Sequence, residues 1–252
     1  MTFNGERISL GLIAIGAAAI ISTYLAASAW ERVKTMPPDR TITVTGSAKK
    51  RIVSDQIEWT ANLQAQNVDR TSAYRELHQQ MQTTLGYLNE QGLKDGDIRP
   101  GSVSVEETFE TEYVGVGDQR IERQVFKGYK MNQPIIVRSE DVTLVERLSR
   151  EISQLFERGV AVTSYPPAYY YTKLGELKIE MLAEASKDAR NRAENIVQKA
   201  GDAELGKLRS ADMGVINVNP ANSTDTSWQG NNDSSSLEKD ILTIVHVVFE
   251  LH

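Results

Sequence analysis

No cysteine occurs in the 252 residues. Disulfides, thiol nucleophiles, thiolate metal sites and lipid attachment at a cysteine are therefore excluded. Histidine is scarce: His78, His246 and His252 are scattered, without metal-ligand spacing. No excess of positive charge exists, because the formal net charge is −6. With no DNA- or RNA-binding motif either, broad nucleic-acid binding is not expected. G-x-S-x-G, H-E-x-x-H and a glycine-rich phosphate loop are all missing. The residues offer no convergent catalytic set. No catalytic residue, metal ligand or cofactor is assigned from them, and the chain is expected not to be an enzyme.

One long uncharged run is present, Ile8 to Ala29. As a helix it is long enough to cross about 30 Å of hydrocarbon. Ile8, Leu12, Ile15, Ile20 and Leu25 supply its apolar bulk, and Trp30 sits where an interfacial aromatic would sit. Two readings stand: a retained anchor over residues 1–30, or a signal segment cleaved after Ala27-Ser28-Ala29. Length favours the anchor, since a signal core needs only about 7–15 apolar residues. Arg32, Lys34 and Arg40 follow the run and only Arg7 precedes it. Counted alone, these charges place the following domain in the cytoplasm. Residues 31–40, with Met36-Pro37-Pro38-Asp39, read as a stiff linker.

From Thr41 to His252 the pattern is that of a packed domain. Thr41 to Ser47 reads as a strand, with Gly46 permitting a turn. Asp55 to Gln66 alternates apolar and polar residues, as a half-buried strand does. Trp59 lies on its apolar face, so core packing is expected. Ala73, Leu77, Met81, Leu85 and Leu88 make one face of a helix that Gly92 ends. A strand over Ser102 to Phe109 and a returning strand over Val125 to Val137 flank a hairpin extension or loop. Pro134 predicts an edge or a bulge. Glu106, Glu107, Glu110 and Glu112 read as a solvated acidic cluster.

Ser139 is expected to cap the next helix, with Glu140 and Asp141 in its first turn. Two short strands follow, the second carrying Tyr169, Tyr170 and Tyr171. These cannot all face one side of a strand. Tyrosine combines apolar area with a polar tip, so a subunit interface is one reading and plain strand propensity the other. Asn219 to Ser236 reads as a mobile polar loop with Trp228 alone in it. Lys239 to Leu251 is the last strand. Val245, Val247 and Phe249 lie on one face, and Leu242, Ile244 and Val248 predict burial of the other.

The longest helix is predicted from about Leu174 to Ala200. Met181, Ala185, Ala189, Ala193 and Val197 fall three or four apart, so small residues line one face. Glu180, Glu184 and Asp188 are four apart on another face. Acid-base work would need burial to separate their pKa values. Lys187, Arg190 and Arg192 beside them make ion pairs the stronger expectation.

Ala185, Asp188-Ala189-Arg190, Arg192-Ala193 and Leu205-Gly206-Lys207-Leu208 resemble the signature of the SIMPL-domain family. So do Ile42-Thr43-Val44-Thr45-Gly46 and the unit closing on Gly92-Leu93 and Asp97-Ile98. The resemblance covers Thr41 to His252. It implies a periplasmic domain of the bacterial envelope, linked to oxidative-stress defence. It also implies a ring-like homo-oligomer, so the partner expected is a second copy of the chain, with membrane lipid around the N-terminal helix. Subunit pairing is expected through exposed strands, with Tyr169, Tyr170, Tyr171, Val245, Val247 and Phe249 as candidates.

The fold class expected is α+β: mostly antiparallel sheets with about three packed helices, preceded by one N-terminal transmembrane helix. Residues 41–137 and 138–252 are candidate subdomains. A cleaved, soluble periplasmic binding protein is the alternative function, and a carboxylate-based enzyme a third.

Overall fold

A computed structural model of the chain describes residues 5–34, 40–115, 120–201 and 203–252, with side chains in the first stretch described from Gly16 to Glu31. The fold is α+β and its sheets are antiparallel. In order, the elements are α1 (Gly5–Lys34), β1 (Thr41–Val53), β2 (Gln56–Asn67), α2 (Arg70–Glu90), β3 (Ile98–Pro100), β4 (Ser104–Val114), β5 (Ile121–Ser139), α3 (Val142–Glu151), β6 (Val162–Ser164), β7 (Ala168–Tyr170), α4 (Leu174–Ala200), β8 (Leu205–Pro220) and β9 (Glu238–Leu251).

Two sheets carry the domain. In the first, β9 is central, with β1 on one side and β8 on the other. In the second, β2 is flanked by β5 and by the short strands β6 and β7, and β5 carries β3 and β4 on its far side. Each sheet buries one face under helix. Ile57, Trp59, Ala61 and Leu63 of β2 pack with Ala73, Leu77 and Leu88 of α2 and with Val145 and Leu148 of α3. Trp59 is buried there, and its Nε1 donates to Ser164 Oγ at 3.0 Å. The cores are not consecutive halves of the chain: β1 and the C-terminal strands share one, and residues between them build the other.

The second core shows why α4 is rich in alanine. Ala185, Ala189 and Ala193 are fully buried against β1 and β9. Gly46 lies in mid-strand, not at a turn. A Cβ there would stand 2.7 Å from Ala189 Cβ and would also strike Ala185 O. The helix backbone therefore rides directly on the strand. Leu242, Ile244 and Val248 on the opposite face of β9 are only half-buried, because α4 covers one side of this sheet. The expected burial of both faces is corrected accordingly.

Local details refine other expectations. Asp69 caps α2, accepting from Ser72 N. Asp141, not Ser139, caps α3 by accepting from Leu144 N at 3.0 Å. Ser139 instead donates to Asp97 Oδ2 at 2.8 Å. Pro134 lies inside β5 and its carbonyl accepts from Gly101 N, in the interval between β3 and β4. A strand residue's N and C=O point the same way, so the missing N–H falls where the neighbouring strand is interrupted.

The segment after β8 is knitted down. Asn217 Oδ1 accepts from Ser227 N and Asn231 N, and Asn219 Nδ2 donates to Asp225 O. Asp233 N donates to Val218 O, which brings this segment alongside β8. The mobile-loop expectation gives way to a loop held by buried asparagines.

Among the described residues, no helix is long and apolar enough to cross a membrane. The side chains described in α1 span Gly16 to Glu31, fewer than the roughly 20 that a crossing needs. Ile8, Leu12 and Ile15 of the expected anchor lie outside those described side chains. Ile20, Leu25 and Trp30 are exposed, as are Ile21 and Tyr24.

Candidate functional site

The sequence-predicted interface residues separate. Tyr169 belongs to the core beneath the second sheet, and burial pushes its hydroxyl pKa up. Tyr170 points outward and is exposed, while Tyr171 packs beside α4. Val245, Val247 and Phe249 are buried under α4. Their strand, β9, has both edges hydrogen-bonded within the chain, to β1 and β8. No edge of β9 is left open for a further strand.

Among the described residues, β4 has an open outer edge. The β4–β5 hairpin outgrows the sheet it belongs to. β2 ends at Asn67, opposite Tyr129. Beyond that point Thr108 pairs Gly128, Phe109 pairs Phe126 and Val114 pairs Ile121, with no third strand among the described residues. Gly128 marks the departure: its φ is +124°, and a Cβ there would strike Asn67 O. The projecting ribbon, residues 108–114 and 121–128, exposes Phe109, Tyr113, Val114, Ile121 and Phe126. Phe109 and Phe126 meet edge to face at 5.6 Å, and Phe126 and Tyr129 at 5.3 Å. Lys127 Nζ sits 3.0 Å from Glu110 and 3.4 Å from Glu112, so these two carboxylates already share a cation.

The sequence ends a strand at Phe109 and leaves a hairpin extension or loop after it, whereas the strands run on to Val114 and return from Ile121. Alternation finds a face but not the strand that ends before it. The length mismatch between β2 and the hairpin was the missing signal.

Two of the three carboxylates in the row on α4, Glu180 and Asp188, reach β1, while Glu184 is exposed. Glu180 takes Lys50 at 2.7 Å. Asp188 accepts from Ser47 N and pairs with Arg192, both at 2.8 Å. The Ser47 N–H leads in holding the Asp188 carboxyl below the usual range, against the opposing effect of burial and with help from Arg192. An acid poised near neutrality needs the reverse shift. Glu180 and Asp188 act as a clamp between helix and strand.

Charge is buried at the start of β9. Asp240 is 2% exposed and takes Lys49 at 3.0 Å, Arg51 at 2.9 Å and the Asn222 N–H at 2.8 Å. The Arg51 hydrogen bond leads in holding its carboxyl far below the usual range. Next to it, Lys239 is also 2% exposed, with Nζ on Asp233 O at 2.7 Å and Asp233 Oδ2 at 3.2 Å. Among the described residues no group of three or more side chains is arranged to hold a metal.

A comparison with curated proteins finds none that matches the chain. A family model does match: SIMPL, described as a protein of unknown function (DUF541), over residues 42–241. That stretch holds the β1–α4 clamp, the hairpin arm and the buried charges of early β9, and it is most of the chain, which belongs to the SIMPL family.

Proposed function

We propose that this chain is a non-enzymatic scaffolding protein of the bacterial envelope. It is held in the inner membrane by α1, faces the periplasm and assembles with copies of itself through the β4–β5 arm. The observation that carries the reading is the projecting two-stranded ribbon. An isolated hairpin is marginally stable at best in water. This one adds exposed Phe109, Tyr113 and Ile121, which water does not favour. Among the described residues its outer edge carries no further strand, so it can accept another.

An arm that docks on a surface other than a second arm repeats head to tail, and such contacts make a ring when the rotation between copies closes. A ring of anchored subunits would stand as a crown on the membrane. The family resemblance adds a role in envelope maintenance or stress defence. The exposed apolar residues of α1 supply the membrane contact in this reading.

The test is native mass spectrometry of full-length protein extracted in mild detergent, beside the double variant Phe109→Ser, Tyr113→Ser. The wild type is expected as one discrete assembly of three or more subunits. The variant, altered only on exposed positions, is expected to fall to monomer. An assembly of unchanged size in the variant sinks the arm's role. A subunit beginning at Trp30 would instead favour the soluble, cleaved binding protein.

A further inference from the structure

On the face of the first sheet opposite α4, the loop after β8 leaves a cavity of about 240 Å³. Gly214, Val215 and Ile244 give it apolar walls, and Thr45, Asn217 and His246 add polar groups. Trp228 stands at its rim, 90% exposed, a large flat apolar surface with little of this chain against it.

Two hydrogen-bonding groups at this cavity are only half used. Asn217 is 1% exposed. Its Oδ1 accepts from Ser227 N at 2.9 Å and Asn231 N at 3.1 Å, which fixes the orientation of the carboxamide. Its Nδ2 has no protein partner among the described residues. Asn217 lines the cavity, so a ligand there can reach this donor. His246 engages Thr45 Oγ1 through Nδ1 at 3.0 Å, and its Nε2 has no protein partner among the described residues.

We infer that this cavity is a binding site for a small, neutral, flat aromatic compound carrying a carbonyl oxygen. The ring stacks on Trp228 between Val215 and Ile244, and the oxygen accepts from Asn217 Nδ2. Volume sets the size: the cavity is below the roughly 300–1,000 Å³ of sites for larger ligands, which suits one or two rings. Charge sets the neutrality: no carboxylate among the described residues lines the cavity to pair a cation, and acidic groups stand around it. Asp212 is the cross-strand neighbour of His246, Asp225 adjoins the lining residue Thr226, and the chain carries −6 overall. An anion would meet repulsion there. The site is independent of the assembly proposed above.

The test uses fluorine NMR with para-fluorobenzamide and, as a ring lacking the carbonyl, fluorobenzene, added to the full-length protein. The benzamide line is expected to broaden with protein, and fluorobenzene to bind several-fold more weakly. Trp228→Ala is expected to weaken benzamide binding about tenfold, through lost ring contact. The substitution is on an exposed side chain, so circular dichroism should be unchanged. No broadening by the wild type, equal binding of the two compounds, or full binding by Trp228→Ala would each overturn the assignment.

Discussion

Gly46→Val is expected to cost the protein at least about 3 kcal/mol, the upper end for overpacking a tight interior. The reason is contact with main chain. A Cβ at Gly46 would meet Ala185 O and Ala189 N of α4, and helix backbone cannot step aside as a long side chain can. The helix would have to lift, opening Ala185, Ala189 and Ala193 along its buried face. Lifting would also stretch the Ser47–Asp188 and Lys50–Glu180 contacts that clamp helix to strand. Gly86 gives the control. It lies in mid-α2, and a Cβ there has nothing within 4 Å. Gly86→Ala should stabilise by about 0.5–1 kcal/mol, since alanine loses less backbone freedom on entering a helix. Urea unfolding measures both. Equal effects at the two glycines would remove the close-packing account of α4.

The second large effect is expected from Asp233→Ala. The substitution leaves the buried Lys239 ammonium without its carboxylate, and unpairing a buried charge typically costs about 3–5 kcal/mol. The Asp233 carbonyl still accepts from Lys239, so the lower part of that range applies. Adding Lys239→Met removes the stranded charge and should recover part of the loss. If the double variant is no better than the single one, the cost lies in the loop and not in the ion.

The same pair gives a pH dependence. Burial opposes the Asp233 charge, but Ser235, through its hydroxyl and N–H, then Ser236 and Lys239, together pull the carboxyl down to about 2. An unfolded aspartate titrates near pH 4, as an order-of-magnitude reference. Between these values the unfolded chain binds the extra proton, so stability falls as pH drops from about 4 to about 2. Asp240, also lowered, adds to the loss in the same direction. Urea midpoints across this window should show a shallower acid slope in Asp233→Ala than in the wild type.

Much of the fold was legible because it rests on local periodicity. The alanine face of α4 was read from spacing alone, as were the alternation of β2 and the apolar stripe of α2. What escaped depends on contacts distant in sequence. Gly46 follows the rule that glycine turns a chain, yet it serves a helix whose contact residues lie far along the sequence. The loop rich in asparagine and serine has a disordered composition. Its order comes from the carboxamides of Asn217 and Asn219, which composition cannot place. Three consecutive tyrosines gave an interface reading, but the alternation that splits them also sends Tyr169 into the core. The arm was read only as a hairpin extension or loop, because where β2 stops relative to its partner is set by register.

Hydrogen exchange along β4 is the most direct test of the arm as an assembly surface. In a lone chain the outer edge of residues 108–114 faces solvent, and its unpaired amides exchange quickly. In full-length protein extracted from membranes and assembled in mild detergent, those amides are expected to be slow. They should become fast in the Phe109→Ser, Tyr113→Ser variant. Fast exchange of this edge in the assembled wild type would contradict the account, because it would leave the arm uncovered while the copies are held together elsewhere.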